Sequence, residues 1–557
     1  MASFDDHIEQ IKPFGRYQKV VFFLVCSVGI PHGAHVMLTV FIMATPEHRC
    51  AIPGLDNDTY ESQGEWHDLL LQETVPYDSE KKAWAQCSYF AGRNVTHPFA
   101  PSNDTAECSR WVYSKEYYEE TVISELNLVC GDQDKVAMAN SILMGGLLGG
   151  SLILGAMSDI IGRKKTMMIG LVGQFIVTMA TGFVHSYGAF VALRFMATFF
   201  GIGFFLAAFV AGMELVGPDQ RTIAGIVIEL FWALGLFIIL FLAYLIRNWH
   251  HLQIAVSCFN LFFVGHFFLV PESPRWLVSK GRLEEASAII RKAAQVNKAD
   301  VSEKVLSLQD LQSDAPQEKI WHLFTSPRLM VRCLIIFFNW LVVSMVYYGL
   351  GLNVGSLSGN LFLNFLYANI AETLSYVFCL IFLFRVGRRP LHCFTMFLGG
   401  GACIAIIFPV LYGDEGDQWS TITLSMIGKF GVSAAFAIIY VFSAELFPTM
   451  VRNSGMGASS LCARIGGIAS PYVATLSIYV SGDFGIALPS LIFGGLSVLA
   501  GLAALFLPET LHKKLPESIE DAKNFGVSGK SQGKKSYALG SLDNDDLPKK
   551  DGVYNKY

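Results

Sequence analysis

Residues 155–165 read GAMSDIIGRKK, a glycine-punctuated basic turn set between two long apolar runs. Gly155 and Gly162 permit a tight reversal of the chain, and Asp159 is placed to cap a neighbouring helix end and to pair with a basic group. The surrounding text decides what the turn connects. Of 557 residues, 52% are hydrophobic and only 16% charged, and mean hydropathy is positive, so lipid has to be the solvent for much of the chain. The turn is therefore read as a water-facing connection between two membrane-crossing helices.

A bilayer crossing takes about 20 apolar helical residues. Stretches of that kind recur at 20–44, 137–157, 166–185, 188–212, 222–246 and 250–270, and again at 330–352, 360–384, 391–412, 420–443, 453–480 and 486–508. They are too long and too unpatterned for barrel strands, so the expectation is an all-α membrane protein with twelve transmembrane helices. The first run starts after a polar segment, exceeds a signal-peptide core and has no convincing small-residue cleavage site, so it is expected to be a membrane helix and not a cleavable leader. A net charge of −5 says little, and no run suits nucleic acid. Basic residues cluster at Arg163, Lys164 and Lys165, at Arg275, Lys280 and Arg282, at Arg385, Arg388 and Arg389, and at Lys513 and Lys514. All fall on one side of a twelve-helix count, while Asp414, Glu415 and Asp417 fall on the other, so both termini are expected in the cytoplasm.

That topology divides the chain into a cytoplasmic N-terminus (1–19), a first six-helix half (20–270), a cytoplasmic loop (271–329), a second half (330–508) and a cytoplasmic tail (509–557). Within the first half, loop 45–133 is expected to be extracellular. It carries Cys50, Cys87, Cys108 and Cys130 and three N-x-Thr acceptors at Asn57, Asn94 and Asn103. An oxidising compartment predicts two disulfides, whose pairing the sequence leaves open. Loop 271–329 reads as short amphipathic helices, and the tail after about residue 524 has too little apolar content to fold.

The basic turn is also one of three repeated features. Gly162-Arg-Lys recurs as Gly387-Arg-Arg, Glu214 and Arg221 recur as Glu445 and Arg452, and Pro271-Glu-Ser recurs as Pro508-Glu-Thr, at offsets of 225, 231 and 237 residues. Three matches at nearly one spacing predict two pseudo-symmetric halves with a substrate site between them at the membrane midplane.

The turn G-x-x-x-D-x-x-G-R-K resembles the signature loop of the major facilitator superfamily. The segments ATPEHRC (44–50), SELNLVC (124–130), ESPRWLVSKGRLEEA (272–286), GKFGVSAAF (428–436), AELFPTMVRNSG (444–455) and LPETLHKKLPESIED (507–521) resemble organic cation and carnitine transporters, including insect-type members. The resemblance covers nearly the whole chain. It implies a major facilitator fold and a plasma-membrane secondary transporter of small organic cations or zwitterions. Ile160 and Leu126 depart from it, standing where the family usually has Arg and Trp.

Charged side chains at bilayer depth cost about 2.5–3.5 kcal/mol each at a helix centre, so they need partners or water. Three stand out: Glu229, Glu372 and Arg464. The resemblance places Glu372 at the family's acidic position in the eighth helix, and Arg464 at a position that is Asp in the organic cation transporters but Arg in carnitine and organic anion members, where it could also neutralise one glutamate and leave net attraction for a simple cation. Two carboxylates attract an ammonium and a guanidinium takes a carboxylate, a combination suited to a zwitterion. The resemblance also places Phe205, Tyr347 and Phe362 as cavity aromatics for cation–π contact. Lys429 is read as snorkelling to the outer face in preference to pairing with substrate, and His32 and His35 as hydrogen-bonded structural residues in preference to lining the cavity or relaying protons. Asp159, Arg163, Glu214, Arg221, Glu445 and Arg452 are expected to act as gating latches.

No phosphate-cradling loop, zinc-ligand pattern or nucleophile elbow is present, so neither enzyme chemistry nor a cofactor is expected. A coupling ion, sodium or proton, remains open alongside the substrate. Within the carrier class the alternative is an organic anion exchanger. Outside it, the alternative is a non-transporting receptor that uses the glycosylated loop.

Overall fold

The computed structural model describes residues 4–526 except 13, 79–82, 101–103, 218–219, 303–323, 325, 358, 414–417, 449–450, 481, 514 and 517–518. Asn103, the acidic residues Asp414, Glu415 and Asp417, and the tail beyond 526 lie outside the described residues.

Among the described residues, twelve helical segments form the bundle. In the first half they are α1 (Arg16–Ile42, three stretches in succession), α2 (Asp134–Ile161), α3 (Arg163–Thr181), α4 (Tyr187–Leu215), α5 (Arg221–Leu245) and α6 (Trp249–Phe259, extended by Asn260–Phe263 and His266–Leu269). In the second they are α7 (Pro327–Leu352), α8 (Leu361–Val386), α9 (Arg388–Ala405, extended by Ile407–Tyr412), α10 (Gln418–Leu446), α11 (Arg452–Ala474) and α12 (Asp483–Ala504). Nine are long and apolar enough to span a membrane by themselves, and α3, α6 and α11 complete the bundle. Those three carry more polar or small residues, and they cross because neighbouring helices cover them.

The packing is duplicated. In the first half α1 lies on α5, α4 on α2 and α3, and α6 on α3. In the second, α7 lies on α11, α10 on α8 and α9, and α12 on α9. The halves meet where α2 packs on α11 and α5 on α8.

The repeated motifs fold into one repeated device. Gly162 and Gly387 take φ of 109° and 105°, a left-handed region open to glycine at no steric cost. Each opens a helix whose first N–H groups have no intrahelical acceptor. In the first half Glu272 accepts from the amides of Arg163 (2.8 Å) and Lys164 (3.1 Å). In the second Glu509 accepts from those of Arg388 (3.0 Å) and Arg389 (2.9 Å). The carboxylates belong to the repeated Pro-Glu-Ser and Pro-Glu-Thr motifs, so two distant segments of each half supply the two parts of a single cap. Burial works against charge on Glu509, but the amides of Leu511, Arg388, Arg389 and Thr510 outweigh it and hold the carboxyl below the ordinary carboxylate range.

On this turn face, Leu283–Asn297 buries Ala286, Ile290, Ala293 and Ala294 against Phe4 and Ile8 of the short helix Phe4–Gln10 and Ile11 just after it. Asn297 fixes the contact: its side chain accepts from the Tyr17 amide (2.9 Å) and donates to the Ile11 carbonyl and Gln18 (2.8 Å each).

The opposite, loop face carries a small module of mixed structure. His48–Cys50 pairs with Trp111–Tyr113, Tyr77–Asp78 with Ala83–Trp84, and Ser88–Phe90 with Thr105–Glu107, beside the helix Glu65–Thr74. Disulfides join Cys50 to Cys108 and Cys87 to Cys130, supplying the pairing that the sequence left open. At the module's centre the sealed carboxylate of Asp58 takes Arg49 (2.7 Å) and His67 (2.9 Å).

Gly162→Ala should lower the unfolding midpoint in detergent. An added Cβ would stand 2.3 Å from Glu272 Oε2 at an unfavourable φ, a strain of about 1–3 kcal/mol. Gly155→Ala, whose Cβ meets nothing within 4 Å, should leave the midpoint unchanged or raise it. Because the folded-state pKa of Glu509 is depressed, its contribution is present at neutral pH and lost as pH falls through that value. The wild-type midpoint should therefore drop towards that of Glu509→Gln below about pH 4, and parallel profiles would refute this linkage.

Candidate functional site

Glu372, on α8, has no exposed surface and makes three polar contacts. Tyr347 of α7 donates to its Oε1 at 2.6 Å, Tyr376 of α8 donates to the same oxygen at 3.0 Å, and the Lys429 ammonium of α10 stands 2.9 Å from Oε2. The lysine also sits over the Tyr347 ring, 3.7 Å from its centroid. The snorkelling expected of Lys429 is corrected here: the residue is 4% exposed, because a buried carboxylate holds its charge more strongly than its chain length frees it.

This cluster reaches across the interface between the halves. Trp232 of α5 donates its indole N–H to the Tyr347 oxygen at 3.1 Å, so a chain of hydrogen bonds runs from the first half to Glu372 in the second. Glu229, one helical turn before Trp232 on α5, lies within electrostatic reach of Glu372 and of Tyr347, Tyr348 and Tyr376. Arg464 of α11, itself buried, lies beside Tyr348, Tyr440 and His32. Two carboxylates and two cations thus converge between α1, α5, α7, α8, α10 and α11, with formal charges that cancel. On α2, Ser141 donates to the Ile468 carbonyl of α11 at 2.9 Å, a second polar tie between the halves.

The expected aromatics divide. Tyr347 is part of the charged cluster. Phe205 stacks on His32 at 4.8 Å between centroids, which sets it next to Arg464's neighbour. Phe362 stands elsewhere, ten residues before Glu372 on α8 and so about 15 Å away along the axis. It packs with Phe41 (5.9 Å), Tyr118 (6.1 Å) and Tyr244 (5.7 Å). Those partners belong to the first half, so Phe362 closes the bundle towards the loop face. Tyr479, after α11, donates to Asp134 of α2 at the same end. Below this closure a small cavity is lined by Met37, Leu236, Phe365 and Asn369 together with Glu372 and Lys429.

The two histidines stand among buried charges, and His35 also lies beside Asn260. Nδ1 of His32 and both ring nitrogens of His35 make no hydrogen bond of standard geometry among the described residues, although both rings are buried. His35 faces Arg194 of α4, a third buried cation that the sequence reading passed over. Its signal was available: a lone arginine in the otherwise apolar run YGAFVALRFMATFFG.

The gating candidates sit on the turn face. Arg163 bridges Asp159 (2.6 Å) and Glu214 (3.0 Å), and Glu445 pairs with Arg388 (2.9 Å), the counterpart of Arg163 by repeat position. These pairs join helices within one half. Arg221 donates to the Met213 carbonyl at 3.1 Å and lies near Arg452, which brings two like charges together across the halves.

The model of the family described as "Sugar (and other) transporter" matches residues 96–521. The chain is 37% identical over 541 residues to the organic cation transporter protein of Drosophila melanogaster, covering 94% of this chain and 95% of the relative. It is 33% identical over 535 residues to organic cation/carnitine transporter 2 of Homo sapiens, covering 93% and 94%. The chain belongs to the organic cation/carnitine transporter family. The family lies within the major facilitator superfamily, and its fold is shared with the proton:xylose symporter XylE bound to a bromodeoxyglucose. That structure superposes with a TM-score of 0.58 at 15% identity, covering 91% of this chain and 98% of XylE. Membership makes the chain a membrane transporter and not an enzyme.

Lys429→Met should strand the Glu372 carboxylate in the interior and lower stability by about 3–5 kcal/mol. The double variant Lys429→Met/Glu372→Gln should recover most of that loss. Unfolding midpoints of the purified variants measure the coupling, and additive losses would remove the pair from the account.

Proposed function

We propose that the chain carries small organic cations or carnitine-like zwitterions across the plasma membrane by alternating access about the cluster of Glu229, Glu372, Lys429 and Arg464. The observation that carries this reading is the position of the Lys429 ammonium, held between the Glu372 carboxylate and the Tyr347 ring face. Carboxylate and ring face together are what a quaternary ammonium requires, so the lysine stands where the cationic group of a substrate would bind. A substrate ammonium competes with Lys429 for Glu372, and a substrate carboxylate takes Arg464. The names of the relatives, an organic cation transporter and an organic cation/carnitine transporter, support the same class. Phe205 and Tyr347 serve the pocket, and Phe362 serves as its closure towards the loop face.

Alternating access follows from how the halves are joined. The Trp232–Tyr347 bond and the Phe362 cluster cross between halves and must break when the loop-face end opens. Asp159, Arg163, Glu214, Arg221, Glu445 and Arg452 form the gating layer of the turn face. Within it the ion pairs brace each half, and Arg221 and Arg452 stand near each other across the halves. The loop face is extracellular in this reading, with both termini cytoplasmic and Asn57, Asn94 and Asn103 as glycan acceptors. Two disulfides in the loop module suit an oxidising compartment. Organic anion exchange is the second reading, favoured by the buried cations Arg464, Lys429 and Arg194.

Uptake of labelled carnitine, tetraethylammonium and an aromatic carboxylate, with and without sodium and across external pH, separates these substrates and identifies a coupling ion. Saturable uptake of a cation or zwitterion should fall at least about tenfold in Glu372→Gln and in Arg464→Ala at equal surface expression. Unaltered uptake in both variants would remove the site, and selective uptake of the carboxylate would establish the second reading.

A further inference from the structure

At the loop face of the first half, three side chains from separate segments meet. Glu125 lies on the short helix Val122–Leu126, His185 on the connection between α3 and α4, and His250 in the first turn of α6. His185 Nδ1 is 2.7 Å from Glu125 Oε1 and His250 Nε2 is 3.0 Å from Glu125 Oε2. One ligand atom from each of the three residues lies within 4.8 Å of the others. Zinc bonds of about 2.0–2.1 Å in tetrahedral geometry put their donors roughly 3.4 Å apart, so small side-chain adjustments would close the set around one ion.

The hydrogen bonding supplies an independent reason for a cation. His250 Nδ1 stands 2.9 Å from the Gly182 carbonyl, while Nε2 faces the carboxylate, so both ring nitrogens point at acceptors. A neutral imidazole has only one N–H. If Nδ1–H serves the carbonyl, the Nε2 lone pair is aimed at a carboxylate oxygen, and only a proton or a metal ion between them makes the contact favourable. A ligating histidine usually donates its other ring N–H to a carbonyl or carboxylate, which is the role of the Gly182 oxygen here. The Trp249 indole donates to Glu125 Oε2 at 2.7 Å and orients the carboxylate in the same way.

We propose that Glu125, His185 and His250 bind a divalent transition-metal ion of the zinc class. Two imidazoles and one carboxylate select such an ion over calcium or magnesium, which prefer more oxygen ligands. The fourth position faces solvent through His185, whose side chain is 74% exposed. The ion staples the helix leading into α2 to the α3–α4 connection and the start of α6. It is a structural ion at the rim, distinct from cargo in the cavity. Sequence spacing carried no sign of it, because the ligands come from three separated segments.

The test uses the purified full chain in detergent, stripped with a chelator and titrated with zinc chloride. Zinc should raise the unfolding midpoint saturably, and one ion per chain should survive desalting. Millimolar magnesium or calcium should do neither. His185→Asn, at an exposed position that spares the fold, and His250→Gln should each weaken zinc binding at least about tenfold. His251→Asn, on the same turn but outside the cluster, should bind as wild type. The proposal is overturned if zinc gives no shift, which would leave a proton-bridged triad, or if the shift persists in His185→Asn, which would place the ion elsewhere.

Discussion

An ionised carboxylate sealed inside a membrane bundle is tolerable only when cations and hydroxyls meet it there, and Glu372 is such a group. Its partners arrive from three helices of the second half, and Tyr347 passes the contact on to Trp232 in the first. The interface between the halves is therefore polar at its centre and organised around one acceptor. Breaking a buried pair by removing a partner is costly, whereas exchanging one partner for another need not be. That asymmetry is what the proposed cycle uses: in it a cationic substrate takes the place of Lys429 without stranding Glu372.

Away from the centre, rigidity is built twice over. Each half contains a positive-φ glycine, a helix start capped by a distant glutamate and an arginine clamped to the end of its fourth helix. These contacts brace each half internally and are separate from the contacts between the halves. Among the described residues the links crossing the interface include a Trp–Tyr–Glu chain at mid-depth, the Ser141–Ile468 bond between α2 and α11, and, at the loop face, aromatic packing around Phe362 and the Tyr479–Asp134 bond.

The sequence readings that succeeded rested on local or repeated signals. Long apolar runs require helices because lipid leaves no other way to satisfy the backbone. The three repeated motifs became one repeated device, and Glu372 and Arg464 were conspicuous as charges in greasy text. Lys429 was equally conspicuous, yet its length allowed two destinations, and only the position of α10 against α8 decided between them. Phe362 illustrates the converse case, since a family position fixes a residue's helix but not its depth relative to the charges.

Helices, their number, their duplication and the presence of costly buried charges follow from composition and order along the chain, since these depend on how each residue partitions between water and lipid. Partnership does not. The pairing of Glu372 with Lys429, of Arg388 with Glu445, of Cys50 with Cys108, and the meeting of Glu125 with His185 and His250 depend on how segments tens of residues apart are brought together. Such contacts depend on the direction and distance of side chains in space, and these are settled only when the helices pack.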